Sequence, residues 1–380
     1  MTQPADISWT EEGEPRSARW RSESMAPPKR IVPADDRLDA DAAYRLACEG
    51  TGLLWRGDYH NARQLLQALG RRIDRKRRGK AAPKPPASPL DAFNLHRQAQ
   101  AQRARVLGML LLPFEGDYAI PLRRAPDVRQ ACLEAWGPAP GQAFVATLRE
   151  LLGVIGAHEW RKKGVEIPAL GARIHPHYGV FSPVRGEYIE LVAKAPLPRD
   201  TSLAFDIGAG TGVLSALLAR RGIGRVVGTD QDDRALACAG ENISRLGLGD
   251  RVDIIRADLF PAGRAPLVVC NPPWLPARPS SGIEHAVYDP DSRMLLGFLN
   301  GLAEHLAPDG EGWLILSDLA ELLGMRSREQ LLAAIDAAGL EVAGRLDARP
   351  THGKAFDPDD PLHAARSKEV TSLWRLRAKG

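Results

Sequence analysis

From about residue 175 onward, short apolar runs alternate with stretches of helical periodicity, and few folds accommodate that pattern. The runs are "SLAFDIG", "RVVGTD", "RVDIIRAD", "PLVVCN" and "GWLILSD"; between them lie "GVLSALLARRG", "DRALACAGENISRLG" and "SRMLLGFLNGLAEHLAP". Strands alternating with helices of this length form a parallel sheet covered on both faces. The second half of the chain is therefore expected to be α/β, a doubly wound, Rossmann-like sheet. In such sheets ligands bind outside the carboxyl ends of the strands, so the residues that end each run are the candidates for a site.

The first run ends in "DIGAGTG", with Asp206, Gly208, Gly210 and Gly212. Glycines there let the backbone turn tightly and approach a ligand closely at the start of a helix. The spacing is G-x-G-x-G, neither the dinucleotide fingerprint nor the phosphate loop with its lysine. The second run ends at Asp230, where a carboxylate accepts from both hydroxyls of a ribose; the third ends at Asp258, placed to accept from an adenine amino group. Each Asp taken singly is equally a helix cap. Three acidic strand ends in series beside one glycine turn are harder to dismiss.

The fourth run ends in "NPPW", Asn271, Pro272, Pro273 and Trp274. Proline has no amide hydrogen for a central strand, so the pair ends the run and holds a rigid turn. The Asn271 side-chain oxygen and the Pro272 carbonyl then form two acceptors for one NH2 group. A planar amide or base amine is a poor nucleophile because its lone pair is delocalised. Two acceptors gripping its hydrogens hold the nitrogen in line with an electrophile and favour pyramidal geometry as positive charge develops. Trp274 offers a flat face for a planar substrate.

Taken in order, "FDIGAGTG", "GTD", "RADLF" and "CNPPW" resemble the class I S-adenosylmethionine-dependent methyltransferases, in the branch with an Asn-Pro-Pro-aromatic motif. That branch includes small-domain ribosomal RNA guanine N2-, DNA adenine N6- and release-factor glutamine N5-methyltransferases. The resemblance covers about residues 175 to 380 and implies S-adenosylmethionine as cofactor. It implies that Gly208, Gly210 and Gly212 border the methionine part of the cofactor, with Asp206 beneath the loop. Asp230 would hold the ribose, Asp258 the adenine, and Asn271 to Trp274 the amine. "GVFSPVRGEYIELV" (179–192) resembles the helix that leads into these enzymes, with Phe181, Ser182 and Arg185 helping to close the cofactor pocket. It lacks the Pro-Arg-x-Glu-Thr-Glu of the release-factor enzymes, whose fourth motif residue is usually Tyr.

The rest of the chain bears on substrate and compartment. Residues 1–35 are polar and poor in large apolar side chains, a composition expected to stay disordered, and Met25 is an alternative start. Residues 36–170 carry mostly helical periodicity, including one long helix over 143–164, and predict a mainly helical, partly basic accessory domain ahead of the methyltransferase domain at 171–380. Seven of the ten residues in 71–80 are basic, before the Pro-rich connector 81–90. With "HEWRKKG" (158–164) this run would neutralise phosphates, with the target base flipped out to reach Trp274. The bland reading of the run is a solvated helix end. The acidic stretch after the motif, 280–299, is instead like the substrate-facing loop of the glutamine enzymes. Nucleic acid, most simply structured RNA, is the expected substrate, and a protein glutamine the alternative.

Cys48, Cys132, Cys238 and Cys270 are far apart, with no paired spacing for zinc or a disulfide framework, and the longest apolar run (106–114) is about half a membrane span. A cytoplasmic protein with no membrane partner is expected. His175 and His177 alternate without a third ligand, and Asp357, Asp359 and Asp360 read as a solvated turn, so no metal is assigned. Two rival classes are kept: a cofactor-binding RNA assembly factor without catalysis, against which the amine-gripping motif argues, and a nicotinamide oxidoreductase, against which the glycine spacing argues.

Overall fold

The computed structural model describes residues 5–78, 86–184, 186–279, 284, 286–351 and 353–380, without the side chains of 76–78, 354 and 355. The chain divides into two units, Met1–Pro86 with Asn94–Glu159, and Ala87–Phe93 with Trp160–Gly380. Most of the basic run's side chains, Arg185, and residues 280–283 and 285 of the acidic stretch after the motif lie outside the described residues.

The first unit is built on six strands. They are β1 (Asp6–Glu11), β2 (Glu14–Trp20), β3 (Arg30–Ala34), β4 (Thr51–Trp55), β5 (Leu110–Phe114) and β6 (Phe144–Thr147). Its helices are α1 (Ala40–Cys48), α2 (Tyr59–Arg78), α3 (Pro89–Leu107), α4 (Arg129–Trp136) and α5 (Leu148–Lys163); α3 and α5 continue into the second unit's sequence. The sheet order is β1-β2-β6-β5-β4-β3, with β3, β4 and β5 parallel.

Two expectations are corrected here. Of the segment 1–35, expected to be disordered, residues 5–35 are ordered and 1–4 lie outside the described residues: β1 and β2 form a hairpin around Glu12 and Gly13, both at positive φ, the turn that matches strand twist. Ile7 and Trp20 are buried with Ile31, Leu54, Leu111 and Val145, so long-range partners repay what local composition could not. Nor is 36–170 simply helical. All five residues of "TGLLW" and of "LLLPF" are buried, and a short continuous apolar run does not distinguish strand from helix by periodicity. The helix expected over 143–164 loses its start to β6, and α5 begins where Thr147 Oγ1 accepts the Glu150 N–H at 3.0 Å.

The second unit opens with a small hairpin, β7 (Val165–Ile167) and β8 (Ala172–Ile174), and α6 (Glu187–Lys194). There follow β9 (Leu203–Ile207), α7 (Val213–Arg220), β10 (Arg225–Asp230), α8 (Asp233–Arg245), β11 (Val252–Arg256) and β12 (Ala265–Cys270). The unit continues through α9 (Arg293–His305), β13 (Leu306–Ser317), α10 (Leu319–Leu322), α11 (Arg328–Ala337), β14 (Leu340–Ala348), α12 (His363–Arg366) and β15 (Thr371–Ala378). The order is β11-β10-β9-β12-β13-β15-β14, with β15 antiparallel to both neighbours and the other pairs parallel. This is the expected Rossmann-like sheet.

Period-two alternation explains its apolar runs. Leu267, Val269, Trp313 and Ile315 face one core with α6 and α7, while Val268, Cys270, Leu314 and Leu316 face the other with α9 and α11. A strand buried on both faces has no polar side. From β9 the chain winds outward through β10 to β11, then returns to lay β12 on β9's other side. The crevice between the carboxyl ends of β9 and β12 is the topological switch point, where open α/β sheets bind ligands.

Candidate active site

β9 delivers the glycine turn. Gly208, Gly210 and Gly212 have φ of 77°, 54° and 76°, and Gly212 caps α7. The N–H groups of Gly208 and Ala209 donate to the Thr229 carbonyl at 2.9 and 2.8 Å, which pins the turn to β10. At Gly208 the positive φ disfavours any side chain, and a Cβ would also have to push aside the end of the Met294 side chain, whose Cε would lie 2.6 Å away. Asp206 is buried behind the turn and accepts from Ser215 Oγ at 2.6 Å. Burial pushes its carboxyl up to about 6, in spite of the Ser215 hydrogen bond.

Asp230 is half-buried at the end of β10. Its Oδ2 accepts the Gly210 N–H and its Oδ1 the Asp232 N–H, both at 3.0 Å. Asp258 is exposed beyond β11, with Gln231 Nε2 on one oxygen at 2.8 Å and Arg293 Nη2 on the other at 3.3 Å. Its neighbour Leu259, at φ 70°, is held by its carbonyl, which accepts from Thr229 Oγ1 at 2.5 Å.

β12 delivers Asn271 to Trp274. Asn271 is half-buried, Pro272 buried, and Trp274 half-buried against both core clusters. Trp274 Nε1–H donates to Asn271 Oδ1 at 2.9 Å. The structure thus brings the glycine turn, Asp206, Asp230, Asp258 and the motif together at one edge of the sheet.

Two residues that sequence reasoning missed hold this edge in place. Asp289 is 5% exposed. It accepts the Met294 and Leu295 N–H groups at the start of α9 (3.0 and 3.1 Å), while its own N–H donates to the Leu275 carbonyl at 2.8 Å. It thereby ties the motif to α9, whose Met294 meets the glycine turn. An acidic residue just ahead of an apolar helix was the available signal. Asn242, buried on α8, accepts the His175 N–H at 2.8 Å and donates to the His175 and Thr211 carbonyls at 3.2 and 3.1 Å. No local signal marks it, because its partners are 31 and 67 residues away.

His175 and His177 anchor the segment before α6. His175 Nδ1 lies 2.6 Å from the Arg161 carbonyl, and His177 Nε2 lies 2.8 Å from Glu241 Oε2. Burial raises the Glu241 carboxyl, but bonds from Arg245, His177 and Arg161 outweigh it and bring it to about 2. Asp360 pairs with Arg366. Among the described residues no group of three or more His, Cys, Asp or Glu is placed to hold a metal. The helix expected from 179 starts only at Glu187, with Gly186 at its N-cap; Pro183 disfavours helical geometry at Ser182 before it. Phe181 is 37% exposed and Ser182 Oγ is buried without a partner.

A Rossmann-like sheet with this glycine turn and acidic strand ends defines a class I methyltransferase. Residues 172–321 match the family described as methyltransferase small domain. Among curated relatives, the tRNA1(Val) (adenine(37)-N6)-methyltransferase of Tolumonas auensis is 30% identical over 47% of this chain and 68% of its own. The release factor glutamine methyltransferase of Cereibacter sphaeroides is 32% identical over 47% of this chain and 64% of its own. The ribosomal protein L11 methyltransferase of Pelotomaculum thermopropionicum is 32% identical over 41% and 43%. The chain therefore spans under two thirds of the length of two of these relatives. It belongs to the methyltransferase small-domain family of class I S-adenosylmethionine-dependent enzymes. Among the described residues no helix is long and apolar enough to cross a membrane.

The site fits the family's cofactor. The left-handed glycines leave the turn without side chains beside Met294, and Asp230 and Asp258 supply acceptors of the kind that the hydroxyl and amino donors of a nucleoside need.

Proposed function

We propose that the chain methylates an exocyclic base amine of RNA. The observation that carries this reading is the position of Asn271 and Pro272 at the end of β12, across the switch point from the glycine turn at the end of β9. When bound, S-adenosylmethionine supplies an electrophilic methyl group. Gly208, Gly210 and Gly212 would border its methionine part, backed by Asp206. Asp230 would accept from its ribose hydroxyls and Asp258 from its adenine amine, the exposed Arg293 pair of Asp258 being weak enough in water to yield.

The residues of the motif do the catalytic work. Asn271 Oδ1 and the Pro272 carbonyl accept the two amine hydrogens and aim the nitrogen's lone pair. As the amine gains positive charge its N–H bonds to these fixed acceptors strengthen, which is stabilisation specific to the transition state. No strong base is required, since the proton is acidic once the nitrogen is alkylated.

The names of the tRNA relatives and the basic run in 71–80 support RNA as acceptor. A glutamine amide has the same donor pair, and the release-factor relative keeps it as the second reading. The test is transfer of tritiated methyl from S-adenosylmethionine by the full chain into a lysate, the product split by nuclease and by protease. Nuclease-sensitive label is expected. Protease-sensitive label would replace RNA by a protein glutamine, and label in neither pool would overturn methyl transfer to both.

A further inference from the structure

An asparagine side chain is nearly symmetrical in shape but not in chemistry. One end accepts hydrogen bonds and the other donates them, so packing alone does not choose which end faces an incoming amine. If Nδ2 faced the acceptor, two donors would meet and the site would repel what it has to hold. Something must select the oxygen.

In this chain the indole of Trp274 is in position to do so. Its Nε1–H lies 2.9 Å from Asn271 Oδ1. An indole N–H is only a donor, so a flipped carboxamide would set Nδ2 against it. Two further observations make the indole a fixed reference. Trp274 packs against both core clusters of the second unit, and Pro272 and Pro273, with their restricted φ, join it to Asn271. The carboxamide oxygen has two lone pairs, of which the indole takes one.

We infer that Trp274 is a positioning residue whose indole N–H selects the carboxamide orientation of Asn271, leaving the second lone pair of Oδ1 for the acceptor's N–H. The inference rests on the amine-methylating function proposed above. It assigns Trp274 a role distinct from stacking, one that phenylalanine does not fill.

The test is a double-mutant cycle in the full chain, with tritiated S-adenosylmethionine and the acceptor pool found above. Trp274→Phe keeps a flat ring and loses the donor. Turnover should fall about tenfold, the equivalent of one hydrogen bond, with KM for cofactor and acceptor within about twofold. In Asn271→Asp, whose two carboxylate oxygens have no wrong end, the same Trp274→Phe change should cost less than about twofold. Unchanged turnover in Trp274→Phe overturns the inference. Faster turnover overturns it too, since the indole would then be competing with the acceptor. An equal loss in both backgrounds reduces Trp274 to a structural role.

A second measurement needs neither a known acceptor nor a folded Trp274 variant. Solvent exchange of the Trp274 indole proton, followed by NMR, should be at least about tenfold faster in Asn271→Ala than in the wild type. Equal rates would show that the bond does not form. If the wild type transfers no methyl at all, the proposed function fails, and this exchange rate still decides the orientation.

Discussion

Two buried aspartates, one in each unit, ionise in opposite directions. Asp58 follows β4; its carboxylate accepts from Arg124 at 2.6 Å, Arg123 at 3.0 Å and the His60 N–H at 2.8 Å. Arg124 above all holds it well below the usual carboxylate range, against the cost of its burial. Asp206, in β9, is met by the Ser215 hydroxyl, and burial raises it to about 6. The acids beside them differ in the kind of partner they meet. In the first unit Asp36 is also engaged, by the Asp58 N–H and Asn61 Nδ2 at 3.0 Å each. In the second, the half-buried Asp230 and exposed Asp258 stand beside a turn of left-handed glycines. Parallel strands followed by acids occur twice; in the first set two guanidiniums meet the buried Asp58, whereas in the second Asp230 is held by backbone N–H groups and Asp258 by an amide and one exposed guanidinium.

The largest expected effect separates the motif from the cofactor edge of the second sheet. Asn271→Ala should cut methyl transfer at least about 100-fold, while cofactor affinity by calorimetry stays within about twofold. An equal loss of affinity would mean that the two edges are not separable.

The next concerns pH. Asp206 titrates higher folded than unfolded, so the native state binds more protons between about pH 4 and 6, and stability falls as pH rises through that window. Asp206→Asn removes the cost of the buried charge. Its stability relative to wild type should rise from pH 4 to pH 6 by up to about 3 kcal/mol and then level off, read from urea midpoints. A difference independent of pH would contradict the assigned cause. Asp58 has the opposite sign: its contribution is present above its unfolded pKa and is lost as the pH falls below it.

The smallest pair applies one substitution to each sheet. Asp230→Ala should weaken cofactor binding about tenfold with little change in melting temperature. Asp58→Ala should lower the melting temperature by several degrees with cofactor affinity unchanged. Exchanged outcomes would break the comparison.

Much of the second unit was legible because its signals are local. Pro272 and Pro273 announce a strand's end, and the spacing of Gly208, Gly210 and Gly212 announces a turn at positive φ. The first unit was harder. β1 and β2 gain their stability from residues 31 to 145, and β6 carries no mark separating it from the helix it precedes. Asp289 and Asn242 act through partners that no short window contains.

By itself, the sequence determined the α/β class, the strand ends and the residue types presented there, since strand period, proline and glycine act over a few residues. Tertiary structure decided which acids remain as acceptors and which way Asn271 faces. Arg123 and Arg124 reach Asp58 from 65 and 66 residues away, and the two core clusters hold Trp274. Hydrogen-bond satisfaction and desolvation depend on every neighbour in space, and only the folded chain supplies them.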